Sequence, residues 1–227
     1  MRRPAARTGI AAARAMDSAL EADRARALRL IHVSRETEQR LDSLVALLIH
    51  WQNRINLVAP ATLPDAWTRH IADSLQLLPL VEGAKLWVDL GSGGGFPALP
   101  LACALAERPG ARIHLVESNH KKAAFLREAA RTLALPASVH AERIEDFAAR
   151  FAPVADVVSA RALAPLAKLL TYAAPLLKTG TTGLFPKGQD VEAELTEAAK
   201  YWTIDYELAP SKTGSGQIVI VHRLAKK

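Results

Sequence analysis

The sequence predicts an α/β fold: a mainly parallel, seven-stranded sheet that ends in an antiparallel hairpin and is preceded by a helical extension. From Leu86 onward, short apolar runs alternate with segments of helical periodicity, which is typical of a parallel sheet covered by helices on both faces. The last two apolar runs, 201–208 and 217–223, are joined by a short stretch containing glycine and serine. That stretch leaves no room for a crossover helix, so the two runs are expected to pair as a hairpin.

The helical extension is predicted from apolar spacing and from a helix-start pattern. Ser34 is followed closely by two acidic residues, and leucines then recur at helical spacing up to Trp51. A second helical stretch is expected over 65–78, where Pro79 ends it. The chain is therefore divided into a basic N-terminal arm (1–32), the helical extension (33–84) and the α/β domain (85–227).

Strands and crossover helices account for the α/β domain. The predicted strands are Leu86–Leu90, Ile113–Val116, Ser138–Ala141, Val154–Ser159, Thr181–Phe185, Tyr201–Leu208 and Gln217–Arg223. The predicted crossover helices are Pro100–Glu107, Asn119–Leu133, Pro165–Leu176 and Asp190–Lys200. The first five strands alternate with helices and are expected to be parallel, whereas the last two are expected to be antiparallel.

The chain is basic, with 29 Lys and Arg residues against 23 Asp and Glu residues and a formal net charge of +6. A positive charge favours a polyanionic partner, although charge acts first on solubility and non-specific attraction. Much of the excess lies in the arm, in seven arginines: Arg2, Arg3, Arg7, Arg14, Arg24, Arg26 and Arg29. The arm is either a solvated, partly disordered tail or a segment that neutralises RNA phosphates. Its Arg-rich, acid-poor start also resembles a transit peptide.

Cys103 is the only cysteine in the sequence, so an internal disulfide and a cysteine-based zinc site are excluded. It lies inside a predicted crossover helix, where a small core residue is expected. No apolar run approaches the roughly 18 residues that a membrane span requires, and no secretory signal precedes the domain. We expect a cytoplasmic protein with no membrane partner and no bound metal.

A glycine-rich loop follows the first predicted strand and opens a helix. It reads Asp89-Leu90-Gly91-Ser92-Gly93-Gly94-Gly95-Phe96-Pro97. A phosphate-binding P-loop requires Lys and then Ser or Thr after its last glycine, and Phe96 and Pro97 supply neither. The dinucleotide fingerprint requires a glycine where Phe96 stands. The Gly-x-Gly-x-Gly pattern after Asp89 instead resembles the loop that binds S-adenosylmethionine, a ligand with no pyrophosphate to cradle.

Two further elements fit the same ligand. Glu117 follows the second predicted strand, roughly 20 residues beyond the loop, where an acidic side chain accepts hydrogen bonds from both ribose hydroxyls. Ile144 and Glu145, after the third strand, could read the adenine edge through a backbone amide and a carboxylate. Taken alone, each element has a simpler explanation, because Glu117 could cap the next helix and Glu145 could stand in a first helical turn.

The residues after the fourth predicted strand indicate the class of methyl acceptor. They read Ser159-Ala160-Arg161-Ala162, whereas methylation of an exocyclic amine typically uses Asn or Asp, two prolines and an aromatic residue. Methylation at carbon 5 of a pyrimidine needs a thiolate, and Cys103 lies far along the chain from this loop. With an exocyclic amine and pyrimidine carbon 5 disfavoured as methyl acceptors, guanine N7 fits the residues present, since it carries a lone pair and no proton. Arg161 and Lys187, at the carboxyl ends of two strands, are candidates for contacts to guanine O6 or to phosphates.

Together these segments resemble one family, the bacterial RsmG/GidB methyltransferases, which act on N7 of a guanine in small-subunit ribosomal RNA. The similarity runs from about Leu41 to the carboxyl end and includes Asn56-Leu57, Arg69-His70-Ile71-Ala72-Asp73-Ser74, the glycine loop, Val116-Glu117-Ser118, Lys121-Lys122, Phe125-Leu126, Arg143-Ile144-Glu145-Asp146-Phe147, Ser159-Ala160-Arg161-Ala162 and Lys187-Gly188. The chain departs from the family pattern in Ala98, where glycine is usual, in Glu117, where Asp is commoner, and in the extra Ala160.

The resemblance implies a Rossmann-like class I methyltransferase domain, S-adenosylmethionine as the cofactor, and a guanine in the 530 loop of 16S ribosomal RNA as the target. The partner would be 16S ribosomal RNA or the small ribosomal subunit. With the motifs above, the expected cofactor-binding residues are Gly91, Ser92, Gly93, Gly95, Phe96, Glu117, Ser118, Ile144, Glu145 and Arg161. The expected catalytic residues are Arg161 and Lys187, and the expected RNA contacts are Arg69, His70 and Lys187.

Several alternatives stay open at the level of sequence. The cluster Arg69–Ser74 could line the RNA side of the pocket, or it could pair internally and brace the glycine loop. Arg161 is expected at the mouth of the crevice without a partner in the core, so its replacement is expected to affect turnover more than folding. The alternatives to an RNA methyltransferase are a methyltransferase acting on a protein or small molecule and a non-catalytic RNA-binding protein.

Overall fold

The sheet contains seven strands, and their bounds in the computed structural model follow the predicted ones closely. They are β1 (Leu86–Leu90), β2 (Arg112–Val116), β3 (Ala137–His140), β4 (Val157–Ser159), β5 (Thr182–Lys187), β6 (Trp202–Pro210) and β7 (Gln217–Lys226). Their order in the sheet is β3-β2-β1-β4-β5-β7-β6. Strands β1 to β5 are parallel, whereas β7 runs antiparallel to both β5 and β6. The predicted α/β fold with a terminal antiparallel hairpin is confirmed.

The structure describes the backbone of residues 5–227 and the side chains of residues 15–227. Within this range the α-helices are α1 (Ala5–Ala27), α2 (Arg35–Gln52), α3 (Asp73–Leu75), α4 (Ala98–Leu105), α5 (His120–Thr132), α6 (Ile144–Arg150), α7 (Leu166–Ala173) and α8 (Val191–Ala198). None of the helices in the described part of the chain is both long and apolar enough to cross a membrane.

The core lies on both faces of the sheet because successive residues of a strand point to opposite sides. In β1, Trp87 packs into the layer formed with α2, α4 and α5, whereas Val88 and Leu90 pack into the layer formed with α6, α7 and α8. All three side chains are fully buried. The end of β1, from which the glycine loop continues, is therefore fixed by packing on both sides.

Helix α2 begins and packs as the sequence predicts. The N–H of Thr37 donates to Ser34 Oγ at 3.0 Å, which is an N-cap hydrogen bond. Leu41, Leu44 and Leu48 recur at helical spacing and have no exposed surface. This apolar face packs against α4 and α5, so the extension is attached to the sheet domain through a hydrophobic contact.

The segment between α2 and β1 is helical but irregular, and the expectation of one continuous helix over 65–78 is corrected here. It consists of a 3₁₀ turn at Pro60–Asp65, a π-helix at Trp67–Ala72 and the short α3. The prolines of the first turn have no N–H to donate, which interrupts a regular helix. The N–H of Thr68 donates instead to Asp23 Oδ2 of α1 at 3.0 Å. A π-helix is rare, and it is frequently found at functional sites.

Helix α1 attaches to the extension through ion pairs. Arg24 pairs with Glu38 and, at 2.7 Å, with Asp42 on α2. Arg26 pairs with Asp65 at 2.9 Å. These two arginines of the predicted arm are therefore engaged in contacts within the protein. Arg2 and Arg3, and the side chains of Arg7 and Arg14, lie outside the described residues, and the three-part division of the chain remains a prediction.

Candidate cofactor and acceptor site

A cavity of about 510 Å³ opens at the carboxyl ends of the parallel strands. It lies where the strand order reverses between β1 and β4, which is the usual ligand crevice of an open α/β sheet. Its volume is within the range of small-molecule and cofactor sites. The predicted site residues on the cavity wall are His70, Gly91, Ser92, Gly93, Phe96, Glu117, Ser118, Ile144, Glu145 and Arg161.

Two predicted residues from the glycine loop and the π-helix lie off the cavity wall. A Cβ atom added to Gly95 would clash with Leu99, so this glycine lets the loop pack on α4 and faces away from the cavity. The Arg69 side chain is exposed, and its backbone carbonyl accepts a hydrogen bond from Arg161 Nη1 at 2.8 Å. Neither Gly95 nor the side chain of Arg69 lies on the wall of the cavity.

Lys187 also lies off the wall, in an ion pair. Its Nζ is 2.6 Å from Glu194 Oε2 and donates to the carbonyl of Ala164 at 3.1 Å. The same Glu194 oxygen accepts the N–H of Leu166 at 2.6 Å. Lys187 and Glu194 therefore fix the loop between β4 and α7, which carries Arg161, and the structure does not bring the Lys187 ammonium group into the cavity.

The backbone of the glycine loop explains why glycine occurs at two of its positions. Gly91 and Gly93 have φ angles of +64° and +54°, a region that residues with a side chain avoid. A Cβ atom at Gly93 would meet only the Gly91 carbonyl oxygen, at 3.7 Å. Since Gly93 lies on the cavity wall, this open space lets a ligand approach the loop backbone closely.

Glu117, after β2, ties the glycine loop to the neighbouring strand. Its Oε2 accepts the N–H of Gly93 at 2.8 Å and its Oε1 accepts the N–H of Asn119 at 2.7 Å. The side chain is almost fully buried, with 9% of its surface exposed. An ionised carboxylate has about four acceptor sites, so each oxygen can also accept a ribose hydroxyl. The structure thus adds a loop-bracing role to the expected ribose contact of Glu117.

Asp89, the last acidic residue before the loop, is buried without a full set of donors. Its Oδ1 accepts the hydroxyl of Ser159 at 2.7 Å, whereas its Oδ2 has no hydrogen-bond partner within the described residues. Burial raises the pKa of Asp89 to about 6. A buried acceptor without a donor is unfavourable. Asp89 does not line the cavity, so the fit to S-adenosylmethionine rests on the wall residues: Gly93 leaves open space at the loop backbone, and the Glu117 oxygens can accept the ribose hydroxyls.

Arg161 is held by the π-helix and the residue that follows it, and the expectation of a guanidinium without partners is wrong. Its Nη1 donates to the Arg69 carbonyl and to Asp73 Oδ2, the latter at 2.9 Å. Its Nη2 donates to His70 Nδ1 at 3.0 Å. The guanidinium carbon also lies 5.5 Å from the centre of the Phe96 ring, within reach of a cation–π contact. These contacts fix Arg161 at the wall of the cavity.

His70 is a neutral hydrogen-bond acceptor toward Arg161. The Arg161 donor requires a lone pair on Nδ1, which places the proton on Nε2. Nε2 lies 2.9 Å from Thr62 Oγ1, and that hydroxyl donates in turn to the Ala59 carbonyl at 2.7 Å. Burial, and then the Arg161 charge, lower the pKa of His70 to about 4. The ring stacks on Phe96 at 4.8 Å between centroids, so His70 joins the glycine loop to Arg161.

Asp73 and Thr62 are functional residues that the sequence reasoning did not assign individually. Asp73 stood within the Arg69–Ser74 cluster, and its place three residues after His70 puts both on one face of a helical segment. That spacing could have indicated a shared partner, which the structure identifies as Arg161. Thr62 lies in the 3₁₀ turn Pro60–Asp65 and had no sequence pattern to mark it. The cluster therefore braces Arg161 and also contributes His70 to the cavity wall.

Cys103, the only cysteine in the sequence, does not supply a thiol to this site. Cys103 has no exposed surface, and burial raises the pKa of its thiol to about 12, so the expected core role is confirmed. Within the described residues, no group of three or more His, Cys, Asp and Glu side chains could hold a metal ion. The groups on the cavity wall that can contact a ligand include the glycine loop, Glu117, His70 and Arg161.

The open glycine loop after β1, the buried acid after β2 and the sheet order define a Rossmann-like class I methyltransferase. The chain belongs to the family of rRNA small subunit methyltransferase G, GidB, whose model matches residues 37–217. A ribosomal RNA small subunit methyltransferase G from Bradyrhizobium sp. strain BTAi1 is 61% identical over 203 residues, covering 89% of this chain and 91% of the relative. One from Bradyrhizobium sp. strain ORS 278 is 57% identical and covers 97% of this chain and 98% of the relative.

Two solved structures of O-methyltransferases have a similar fold. A putative O-methyltransferase from Klebsiella pneumoniae has a TM-score of 0.58 at 12% identity, covering 91% of this chain and 97% of that one. The O-methyltransferase TomG from Streptomyces achromogenes, solved with S-adenosylmethionine, has a TM-score of 0.57 at 13% identity and the same coverage. At these identities the likeness concerns the fold. The family and the fit of the site together show that the protein is a methyltransferase and that S-adenosylmethionine is its cofactor.

Proposed function

We propose that this protein transfers the methyl group of S-adenosylmethionine to N7 of a guanine in the 530 loop of 16S ribosomal RNA. Its partner is 16S ribosomal RNA or the small ribosomal subunit. Family membership supports the RNA, since the relatives are named for the small-subunit ribosomal RNA. The choice of N7 rests on His70, the imidazole on the cavity wall. Both of its ring nitrogens are already hydrogen-bonded, one to Thr62 and the other to Arg161.

An acceptor with a proton would need a base, and the two candidates that contact Arg161, His70 and Asp73, are already engaged. Methyl transfer to an N–H or O–H group requires proton removal, usually by a histidine or a carboxylate. The Nδ1 lone pair of His70 accepts from Arg161, and the Asp73 carboxylate is paired with the same guanidinium. Guanine N7 presents a lone pair and no proton, so positioning is sufficient and no general base is needed.

Arg161 is suited to hold the guanine. An arginine has five N–H donors, and three of those in Arg161 are used within the protein. The remaining two can donate to guanine O6 or to a phosphate. The cofactor supplies an electrophilic methyl group on its sulfonium, and the residues around it hold the base in line with that group. Arg161 therefore serves as the acceptor-side catalytic residue, and His70 and Asp73 position it.

The same proposal assigns the remaining predicted residues. Ribose is held by Glu117, and the other cofactor contacts come from Gly91, Ser92, Gly93, Phe96, Ser118, Ile144, Glu145 and Arg161. Lys187 supports catalysis from outside the cavity, because its contacts with Glu194 and Ala164 hold the loop after β4. No metal ion takes part in this scheme. Arg69, which is exposed beside His70, is available to an RNA phosphate.

Mapping the methyl group tests the function directly. Purified protein is incubated with labelled S-adenosylmethionine and small ribosomal subunits from cells that lack the gene. N7-methylguanine is then located by chemical cleavage of the RNA, and the expected product is one modified guanine in the 530 loop. The Gly93→Val variant, which is designed to block the cofactor, serves as the inactive control.

The other outcomes distinguish the competing functions. Label in the ribosomal proteins or in small molecules, without label in the RNA, would favour a methyltransferase of a different substrate class. Tight binding of S-adenosylmethionine and RNA without any transfer would favour a non-catalytic RNA-binding protein. Repeating the reaction with naked 16S RNA determines whether the free RNA or the assembled subunit is the substrate.

A further inference from the structure

The turn between β6 and β7, residues 211–216, lies at the same edge of the sheet as the cavity. β7 begins at Gln217, which pairs with Lys187 at the carboxyl end of β5. The turn therefore stands beside the loops that follow the carboxyl ends of the parallel strands. The other end of the hairpin, where Lys226 pairs with Trp202, lies at the opposite edge. The turn of the hairpin therefore lies near the site, whereas the open end of the hairpin lies far from it.

Residues from the helical extension hold this turn in place. Gln76, which is only 4% exposed, accepts the N–H of Lys212 on Oε1 at 2.7 Å and donates from Nε2 to Ser211 Oγ at 3.4 Å. Asp73 Oδ1 accepts the hydroxyl of Thr213 at 2.6 Å. A surface turn is usually mobile, and here a buried amide and a carboxylate are used to order it.

Asp73 joins the turn to the site. One carboxylate oxygen accepts from Thr213 and the other from Arg161, at 2.6 and 2.9 Å respectively. The Thr213 hydroxyl is therefore separated from the Arg161 guanidinium by a single side chain. A displacement of the turn would change the support of Arg161 directly.

Two exposed cations flank this contact. The side chains of Lys212, next to Thr213, and of Arg69, next to His70, are exposed. Within residues 15–227, neither side chain takes part in an ion pair. Exposed and unpaired cations beside a nucleic-acid site neutralise phosphates and release counterions, which gives a salt-dependent contribution to affinity.

We propose that the turn 211–216, together with Arg69, binds the phosphates of the RNA strand next to the methylated guanine, and that Asp73 transmits this contact to Arg161. The inference rests on the proposed function, because it takes RNA as the substrate. A base held at Arg161 brings the phosphates of its own and neighbouring nucleotides to the rim on which Lys212 and Arg69 stand. Phosphate contacts of this kind position the strand and carry no sequence information.

Two charge removals on the same hairpin provide a matched test. Lys212→Gln removes a cation at the turn, and Lys226→Gln removes one at the opposite edge of the sheet. The measurement is kcat/KM for methyl transfer to unmethylated small ribosomal subunits at a series of KCl concentrations. In Lys212→Gln, the slope of log kcat/KM against log salt should become shallower by roughly 0.7–0.9, the value of one phosphate contact. Lys226→Gln should keep the wild-type slope, and both variants should bind S-adenosylmethionine normally.

A third variant tests the link to Arg161. Thr213→Val removes the hydroxyl that donates to Asp73 and changes neither charge nor side-chain size appreciably. It should lower the single-turnover rate several-fold at saturating subunits and leave the salt slope unchanged.

The results separate the inference from the proposed function. Equal salt slopes in Lys212→Gln and Lys226→Gln, with an active wild-type protein, would overturn the phosphate contact and leave the RNA substrate in place. An unchanged rate in Thr213→Val would overturn the link through Asp73. A wild-type protein that transfers no methyl group to ribosomal RNA would overturn the proposed function and the inference together.

Discussion

Arg161 Nη2 donates a hydrogen bond to His70 Nδ1 at 3.0 Å, and this bond exists only while His70 is neutral. A protonated imidazole has no lone pair at Nδ1 and would repel the guanidinium. The pKa of His70 is lowered to about 4, so the pair is intact at neutral pH. The geometry of the acceptor side therefore depends on a histidine that stays uncharged.

The first prediction concerns acid stability. In the unfolded chain His70 takes up its proton near pH 6.5, whereas in the folded protein it does so near pH 4. The unfolded state thus binds more protons between these values, and His70 lowers the stability of the folded protein as the pH falls from about 6.5 to 4. The full effect is on the order of 3 kcal/mol, from the size of the shift. Urea unfolding at several pH values should show a weaker acid dependence in His70→Gln than in the wild type.

A histidine elsewhere provides the control for this experiment. The His50→Gln variant should show the same acid dependence of the free energy of unfolding as the wild type, because the His50 side chain is exposed on the solvent side of α2. If His70→Gln and wild type lost stability in parallel on acidification, the neutral state assigned to His70 would be wrong.

The second prediction concerns Arg161→Lys. Lysine cannot reproduce the three hydrogen bonds, so His70 and Asp73 lose partners. Unsatisfied groups of this kind cost about 1–3 kcal/mol, which lowers the Tm of a chain of this size by several degrees. Methyl transfer should fall by at least about tenfold, or roughly 1.4 kcal/mol in the barrier. The measurements are a thermal melt and single-turnover methylation.

Arg40→Lys is the matched control, because Arg40 pairs with Glu107 on the surface, away from the cavity. Exposed pairs contribute little, so this variant should melt and react like wild type. An Arg161→Lys protein with the wild-type Tm would mean that its contacts do not support the fold. One with full activity would remove Arg161 from the site.

The third prediction separates a conformational effect from a ligand effect in the glycine loop. Gly93 and Gly110 both have positive φ angles, +54° and +78°, and neither would bring a Cβ atom into a close clash. Valine at either position is strained by the backbone, so both variants should lose stability. Only Gly93→Val should lose S-adenosylmethionine binding, because only Gly93 lines the cavity. Calorimetric titration of the two folded variants decides the matter, and equal cofactor affinities would count against the loop as the binding site.

The fourth prediction concerns Glu117→Ala. The carboxylate accepts two backbone N–H groups and is expected to hold the ribose, so its removal affects the loop and the ligand together. Cofactor affinity should fall by roughly 1.5–3 kcal/mol, or about ten- to a hundredfold in Kd. Glu36→Ala, on the exposed surface of α2, is the control and should bind normally. A wild-type Kd in Glu117→Ala would contradict the ribose assignment.

Much of the fold was predictable because local patterns and tertiary packing agree in the α/β domain. Apolar runs such as Leu86–Leu90 are buried on both sheet faces, and three of the four glycines in the following loop, Gly91, Gly93 and Gly95, have positive φ angles. The segment around Thr68 was predicted less well, since a π-helix has no distinct periodicity in sequence. It forms where Asp23 of α1, far away in sequence, accepts both the N–H and the hydroxyl of Thr68.

The sequence by itself determined the order of the strands along the chain, the terminal hairpin and the position of the glycine loop and of Glu117 after the first two strands. Those features arise from residues close together in the chain or from the alternation of strands and helices. Only the tertiary structure decided that Arg161 has partners, that Lys187 supports a loop from outside the cavity, and that the turn at Thr213 reaches Asp73. These contacts join residues about 20 to 140 positions apart, and their geometry follows from how the extension packs on the sheet.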